Sequence, residues 1–445
     1  MQTMTQAAAD LQAGHTTSRA LIERSLAAIA DPAGEGARAF IAVYAEQARA
    51  GADAMDLLRR HGRAPSAYAG LPFSIKDLFD VAGEVTTAGS RALADAKPAA
   101  QHSPVVQRML AAGFVPVGRT NMTEFAFSGL GLNPHHGTPR SPFRRSVGHI
   151  AGGSSSGAAV SVADGMALAA LGTDTGGSCR IPAAFCGIVG YKPTARRVPM
   201  DGLVPLSSTL DSVGPLARTV QCCAVVDAVL AGETPATVTP LALRGMRIAV
   251  PGNMVMDGVD PAVAEAFGRA LNRLGTQGAR ITHLPFPQFE QVVSVNTRGF
   301  AVSEAYAWHR TLLASKGALY DPRVRSRIER GENMTAAEYI ALLAARRSII
   351  ASMDAAAAPF DAVAMPTCPI LAPTVASLED DAEYTRVNAL VLRNPTLANF
   401  LDRCSISVPA QRTGDAPVGF MLMGTTGGDA RLFAIAAAVE AILKE

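Results

Sequence analysis

The sequence predicts an α/β fold built around a large central β-sheet. Its 445 residues are 49% apolar, which is enough to bury one large core. Short apolar runs closed by glycine, such as LPFSIKD and FVPVGRT, indicate buried strands. Helical patterns lie before, between and after these runs, and the alternation of the two is typical of α/β proteins.

The helices are predicted from the spacing of apolar residues. Within residues 4–60 apolar side chains recur on one helical face, Thr17 and Ser18 are suitable N-caps, and Asp31-Pro32 ends a run. We therefore expect this whole segment to be helical. Further helices are predicted over residues 301–358 and 430–443, and further strands in MRIAVPG and FDAVAMPT.

The charge pattern argues against a nucleic-acid-binding protein. Forty basic and thirty-eight acidic residues leave a formal charge of +2, and no window concentrates lysine and arginine into a groove-like patch. The densest basic stretch, residues 323–330, also carries Glu329. We interpret this stretch as a solvated helix face and predict no nucleic-acid partner.

Targeting and cysteine patterns predict a cytoplasmic protein. The first residues, MQTMTQAAAD, lack the basic start and apolar core of a signal peptide. No run approaches the roughly 18 apolar residues of a membrane helix. The six cysteines include no CxxC spacing, so neither a disulfide framework nor a zinc site is predicted. We expect free thiols, no membrane partner and no metal.

Two glycine-serine loops are the most informative motifs. They read GGSSSG at residues 152–157 and GTDTGGS at residues 172–178. Taken singly, each is typical of a flexible connection. A phosphate-binding loop is a weaker alternative, because no G-x-x-x-x-G-K-[ST] pattern occurs.

The spacing of the two loops predicts that they meet. A helix of about ten residues fits residues 155–164, and a strand running back fits residues 166–172. This arrangement returns Ser178 to the start of the helix, beside Ser154. Gly176 and Gly177 leave the backbone free to point several N–H groups into one small space, which is what a developing oxyanion requires.

A serine nucleophile needs a base, and a lysine fits better than the histidines. No obvious partner for a serine emerges among His135, His136, His149 and His309. Lys76 ends the apolar strand in LPFSIKD, where burial would lower its pKa from about 10.4 toward neutrality. From this motif alone, a surface-reaching lysine paired with the adjacent Asp77 remains the alternative.

These motifs together resemble the amidase signature family. The resemblance rests on FSIKD (residues 73–77), GGSSSG and GTDTGGSCRIPAAFCGIVGYKPT (residues 172–194). It extends through TNMTEFAFSG, GLVPLSSTLDSVGPLARTV and APVGFMLMG, and so covers nearly the whole chain. It implies the amidase signature fold, with a large mixed sheet covered by helices on both faces. One domain is expected over residues 1–445: a helical segment (1–65), a catalytic core (66–225) and a part completing the substrate cleft (226–445).

The resemblance implies a role for each site residue. Ser178 would be the nucleophile and Lys76 would be the base. Ser154 would follow a cis peptide bond and would relay the proton between them. The remaining implied residues fall into three groups: oxyanion-hole N–H groups of Thr175, Gly176, Gly177 and Ser178; supporting residues Asp174, Arg180 and Ser155; and substrate contacts Phe125, Phe127, Ser128, Gly129 and Tyr306. Cys179, beside the nucleophile, is interpreted as a packing residue.

The implied activity is hydrolysis of a small carboxamide to a carboxylate and ammonia or an amine, without cofactor. Three alternatives stay open: the glutamine-hydrolysing A subunit of a tRNA-dependent amidotransferase, an allophanate or carboxybiuret hydrolase, and an inactive scaffold. Ile181 and the run TARRVPMDG depart from the amidotransferase pattern, and Ile181 also replaces the arginine with which malonamidase-like members hold a carboxylate. The segment NFLDRCSISVPA resembles part of the allophanate-type enzymes but is also suitable as a core strand. Assembly as a homodimer is left open.

Overall fold

The computed structural model describes residues 2–297 and 299–444. Within them, eleven strands form one sheet. In chain order the strands are β1 (Phe40–Val43), β2 (Pro72–Lys76), β3 (Val115–Thr120), β4 (Ala169–Thr173), β5 (Val189–Lys192), β6 (Val213–Ala217), β7 (Arg247–Pro251), β8 (Arg280–Leu284), β9 (Ala362–Pro366), β10 (Ser405–Pro409) and β11 (Gly419–Met423).

The strand order in the sheet is β1-β3-β2-β4-β6-β5-β10-β11-β9-β7-β8. Strand β2 is parallel to both neighbours, β3 and β4, and β7 is parallel to β8 and β9. The other pairs, including β4 with β6 and β10 with β11, are antiparallel. The predicted mixed sheet is therefore confirmed, and the segment NFLDRCSISVPA supplies its strand β10.

Helices surround this sheet. In chain order they are α1 (Met4–Ala13), α2 (Ser18–Ala30), α3 (Gly36–Ala39), α4 (Ala45–Arg60), α5 (Pro104–Ala111), α6 (Ser156–Ala163), α7 (Arg180–Cys186), α8 (Val220–Ala231), α9 (Pro261–Thr276), α10 (Pro287–Val295), α11 (Phe300–Lys316), α12 (Pro322–Glu329), α13 (Ala336–Ala357), α14 (Asp381–Arg393), α15 (Pro395–Phe400) and α16 (Asp429–Leu443). Thr3 and Thr335 form capping boxes that begin α1 and α13. In the described part of the chain, no helix is long and apolar enough to cross a bilayer.

Both faces of the sheet carry a helical layer. Side chains of a strand alternate between faces, and in β4 Leu171 packs with the cluster that includes Val226 of α8. Its neighbour Ala170 packs in a separate cluster that includes Val160 of α6. The expected covering of both faces is therefore confirmed.

The expectation of a wholly helical N-terminal segment was wrong at one point. Residues Phe40–Val43 form the short edge strand β1, antiparallel to β3, with Phe40 opposite Thr120. The run FIAV contains aromatic and β-branched residues that favour a strand, but four residues are too few to stand out between two helices. Strand β4 also begins at Ala169, three residues later than predicted, because the chain turns at Gly165 with a φ of +76°.

Candidate active site

The first two side chains of the site lie at the ends of two parallel strands, on one edge of the sheet. Strands β2 and β4 are neighbours, with Ile75 opposite Leu171, and they end at Lys76 and Thr173. Because parallel strands end on the same side, the two terminal side chains meet. Lys76 Nζ donates to Thr173 Oγ1 over 2.8 Å.

Lys76 also reaches the first serine loop. Its Nζ lies 2.7 Å from Ser154 Oγ, and both residues are fully buried. The peptide bond between Gly153 and Ser154 is cis, as the resemblance implies. On its other side, the Gly153 N–H donates to the carbonyl of Gly129 over 2.8 Å. The lysine therefore contacts Ser154 and not the adjacent Asp77, whose carboxylate accepts hydrogen bonds from Arg119 and Gly89.

Burial lowers the pKa of Lys76 to about 8, and the nearby Cys179, Asp211 and Asp174 oppose that shift without cancelling it. The predicted direction is confirmed. An amine of this pKa is neutral in an appreciable fraction of molecules near physiological pH, and the neutral form has a lone pair with which to accept a proton.

The second serine loop lies against the first. The Ser155 N–H donates to the Ser178 carbonyl over 3.3 Å, and the Ser155 hydroxyl donates to the Thr173 carbonyl over 3.4 Å. Ser178 retains 3% exposure, whereas Ser154 has none. The helix-then-strand spacing thus does bring Ser154 and Ser178 into adjacent loops.

The loop of residues 174–179 presents several backbone N–H groups. Within the described residues, the N–H groups of Thr175, Gly176 and Ser178 have no hydrogen-bond acceptor. The N–H of Gly177 instead donates to Asp174 Oδ1 over 2.8 Å, and Gly177 has a φ of +124° that favours glycine. The Thr175 hydroxyl donates to Asp211, which anchors the loop from the opposite side.

The carboxylate of Asp174 fixes this loop by hydrogen bonds. Its carboxylate accepts from Arg180 at 2.8 and 3.0 Å, from the Cys179 N–H at 3.1 Å and from Asn399 Nδ2 at 2.9 Å. Burial alone would raise the pKa of Asp174, but Arg180 and Asn399 outweigh it and hold the pKa at about 2. The ion pair is completely buried, so neither partner is replaceable by water.

Asp174→Asn is expected to lower the free energy of unfolding by about 3–5 kcal/mol, because it leaves the buried Arg180 charge uncompensated. Urea unfolding would measure the change. The matched control is Glu329→Gln, which removes an exposed carboxylate paired with Arg325 and should cost less than about 1 kcal/mol. Equal effects of the two substitutions would contradict a structural role for Asp174.

The predicted substrate-contact segment adjoins the serine loops. The Ser128 hydroxyl and the Gly129 N–H both donate to Asn388 Oδ1 over 2.9 Å. Phe125 packs edge-on against His309, with ring centroids 4.3 Å apart. Tyr306 is placed differently, since its hydroxyl donates to the exposed Glu332 over 3.1 Å. Within the described residues no hydrogen bond or ring contact joins Tyr306 to the serine loops.

Three of the four candidate histidines have partners of their own. His135 Nε2 lies 2.9 Å from the Glu124 carboxylate, His149 Nδ1 lies 2.7 Å from the Ala372 carbonyl, and His309 Nδ1 lies 2.8 Å from the Tyr320 hydroxyl. None of these contacts involves a serine of the two loops. Among the described residues, no cluster of His, Cys, Asp and Glu is arranged to hold a metal ion.

Four residues of the site were not singled out in the sequence: Thr173, Asp211, Asn388 and Asn399. Thr173 and Asp211 lie inside the quoted motifs GTDTGGS and SSTLDS, so their position was a usable signal. Asn388 and Asn399 lie more than 200 residues from their partners. Asn399 begins the quoted segment NFLDRCSISVPA, whereas nothing local distinguishes Asn388 from a surface amide.

The site combines a buried lysine hydrogen-bonded to one serine with a second serine in the adjacent loop and free backbone N–H groups beside that second serine. This combination is typical of serine hydrolases. The amidase family model matches residues 20–433, and the chain belongs to the amidase signature family. It is accordingly an amidohydrolase acting on C–N bonds of linear amides.

Two curated relatives illustrate the range of the family. Over 406 residues the chain is 38% identical to 2-amino-5-chloromuconic acid deaminase of Comamonas testosteroni, covering 89% of this chain and 87% of that protein. It is 32% identical to the A subunit of glutamyl-tRNA(Gln) amidotransferase from Lacticaseibacillus paracasei, covering 97% of this chain and 95% of that protein.

Solved structures match over almost the full length. A crystal structure of an amidase gives a TM-score of 0.90 at 32% identity, covering 99% of this chain and all of that one. The native peptide amidase from Stenotrophomonas maltophilia gives a TM-score of 0.79 at 27% identity, covering 99% and 96%. The expected amidase signature fold is therefore confirmed.

Proposed function

We propose that the protein hydrolyses a small linear carboxamide through an acyl-enzyme on Ser178, with Ser154 as proton relay and Lys76 as base. The observation that carries the proposal is the 2.7 Å hydrogen bond between Lys76 Nζ and Ser154 Oγ, two fully buried side chains. A neutral amine in this position can take up the proton that a serine nucleophile must lose.

The proposed reaction begins with two proton transfers. Ser178 Oγ attacks the amide carbon while its proton passes to Ser154 and the Ser154 proton passes to Lys76. Lys76 is then an ammonium, and the substrate carbonyl oxygen carries the negative charge. The same relay run backwards delivers the proton to the leaving nitrogen, so that the C–N bond breaks and the acyl group stays on Ser178. Water then attacks the ester and regenerates the serine.

The developing oxyanion would be stabilised by the backbone of residues 175–178. The N–H groups of Thr175, Gly176 and Ser178 are available, whereas the Gly177 N–H already donates to Asp174. We therefore assign stabilisation of the oxyanion to three of the four predicted N–H donors. The hydrogen bond between Gly177 and Asp174 fixes the direction in which those three N–H groups point. Preorganised donors of this kind contribute most when they need not reorient during the reaction.

The rate is expected to rise with pH through about 8. Only unprotonated Lys76 can accept the Ser154 proton, and burial lowers the pKa of Lys76 to about 8. Below that pH the protonated fraction grows, and kcat should fall about tenfold per pH unit. Ammonia release from a neutral amide, followed from about pH 6 to about pH 10, would measure the profile. A rate that stays level across this range would contradict lysine as the base.

A second candidate is the amidotransferase A subunit, which the full-length similarity to such subunits favours. The departures at Ile181 and in TARRVPMDG favour a free-standing enzyme instead. Purified protein is therefore expected to release ammonia without any partner. An amide panel including malonamide, allophanate, indoleacetamide, aryl amides and glutamine tests this, and glutaminase activity that depends on added partner subunits would support the second candidate.

A further inference from the structure

The loop that precedes strand β6, residues 206–212, runs beside the second serine loop, and we refer to it as the neighbouring loop. Backbone hydrogen bonds join Asp174 and Ser212 in both directions, over 2.8 and 3.1 Å. They continue the antiparallel pairing of β4 with β6 by one residue. The next residues to face each other are therefore Thr175 and Asp211.

The Thr175 N–H points away from the neighbouring loop. Thr175 and Asp211 follow a hydrogen-bonded pair, so they form a non-hydrogen-bonded pair, in which the side chains are close and the backbone groups point to the other side. On that other side lies β2, which ends at Lys76, so the strand does not extend far enough to accept a hydrogen bond there. The Thr175 side chain thus faces Asp211, while its N–H has no acceptor among the described residues.

The Asp211 carboxylate joins the two loops. The Thr175 hydroxyl donates to its Oδ1, and the N–H groups of Leu206 and Ser207 donate to its Oδ2, both over 3.0 Å. Asp211 is half-buried, and burial raises its pKa to about 6 although these three donors oppose the shift. The carboxyl group is therefore ionised in the pH range in which Lys76 becomes neutral, and both of its oxygens are acceptors there.

A second carboxylate fixes the neighbouring loop from the helical layer. Glu304 of α11 accepts from the Thr209 N–H over 3.1 Å and from the Ser207 and Thr209 hydroxyls. It also accepts from the hydroxyl of Tyr339 on α13, so two helices contribute to holding this loop. Asp211 is therefore kept in a fixed position by contacts on both sides of the loop that carries it.

We propose that Asp211 is a positioning residue for the oxyanion donors, acting through the hydroxyl of Thr175 to fix the direction of the Thr175 N–H. This inference rests on the proposed function. Asp174 holds the second serine loop at Gly177, and Asp211 holds the same loop at Thr175. Because the contact uses a side-chain hydroxyl, the N–H of the same residue stays free for the substrate oxygen. A donor fixed in advance need not reorient as charge develops on that oxygen.

Substitution of Thr175 separates its hydroxyl from its N–H. Thr175→Val keeps the shape and the N–H but cannot donate to Asp211, so kcat should fall roughly 10- to 100-fold with little change in KM. Thr175→Ser restores the hydroxyl and should keep kcat within about threefold of the wild-type value. Both constants are measured by ammonia release from the amide of the panel that wild-type protein hydrolyses fastest.

A double substitution shows whether Asp211 acts through Thr175. Asp211→Ala should lower kcat at least as far as Thr175→Val does. Adding Thr175→Val to Asp211→Ala should cause no further loss, because the acceptor is already gone. The rise of the rate through about pH 8 should persist in Thr175→Val, since Lys76 is unchanged. The matched control is Thr194→Val, which removes a hydroxyl that donates to Asp429 over 2.6 Å and should retain wild-type kcat.

Phenylmethanesulfonyl fluoride separates this inference from the proposed function, because its reaction with a serine nucleophile needs no amide. Its rate of modification of Ser178, followed by mass spectrometry, should fall at least about tenfold in Thr175→Val and not in Thr194→Val. Slower modification without turnover of any amide would leave the role of Asp211 standing and reject the proposed hydrolysis. Ser178-dependent turnover that Thr175→Val leaves unchanged, or that Thr175→Ser impairs equally, would overturn the role of Asp211. Absence of both modification and turnover would reject both proposals.

Discussion

Ser178→Ala is expected to lower kcat roughly 10⁴-fold or more, because it removes the oxygen that forms the acyl-enzyme. The fold should persist. The contact that Ser178 makes to Ser155 uses its backbone carbonyl, which alanine retains. Ammonia release would measure the rate, mass spectrometry of protein treated with a serine-directed phosphonate would locate the adduct, and circular dichroism would verify folding.

The control for this prediction is Cys179→Ala. Cys179 stands next to the nucleophile and is buried, with its thiol directed at the Gly214 carbonyl 3.6 Å away. Burial raises its pKa well above the ordinary value, which disfavours a reactive thiolate. Activity should therefore survive Cys179→Ala. Appreciable turnover by Ser178→Ala, or inactivation by Cys179→Ala, would reject Ser178 as the nucleophile.

Lys76→Met is expected to lower kcat by about 10²- to 10⁴-fold, the scale of a lost general base. Methionine keeps most of the volume of the buried side chain but cannot accept a proton. The hydroxyl of Ser154 then loses Lys76 Nζ, its partner at 2.7 Å, so the proton that leaves Ser178 has no final acceptor. Steady-state ammonia release gives kcat, and the pH profile of the variant should no longer rise through about pH 8.

A second buried lysine provides the control. Burial also lowers the pKa of Lys192 to about 8, but its Nζ donates to the Pro193 carbonyl and contacts neither serine. The pH profile alone therefore does not assign the base, whereas the pair of substitutions does. Lys192→Met should retain the rise through about pH 8. A profile that follows Lys192 instead of Lys76 would show that the base had been assigned to the wrong residue.

Local patterns predicted the meeting of the two serine loops correctly. The rise per residue of a helix and of a strand is fixed, so the length of the segment between residues 155 and 172 determines where the chain returns. The structure bears this out with α6, β4 and the contact between Ser155 and Ser178. The burial of Lys76 was likewise predicted from the largely apolar strand LPFSIK that ends at this residue.

Contacts between distant segments were not predictable from local patterns. The pairing of β2 with β4 sets the Lys76–Thr173 contact across 97 residues, and Asn399 reaches Asp174 across 225. The stretch of residues 323–330 shows the limit most clearly. The interpretation of this stretch as a solvated helix face holds for Arg325 but was wrong for Arg327, which is half-buried with its guanidinium carbon 4.8 Å from the centroid of the Phe127 ring. The charges are evident in the sequence, but which arginine faces solvent depends on how α12 packs.

The sequence by itself determined the fold family, the residues of the two serine loops and the candidate base, because each depends on a short motif or on a fixed rise along one segment. Only the tertiary structure decided which side chains the C-terminal third of the chain brings to those loops, and that Arg327 lies half-buried over Phe127. The reason is physical: periodicity fixes which face of an element is apolar, while the partners of its polar face are fixed by packing across the sheet.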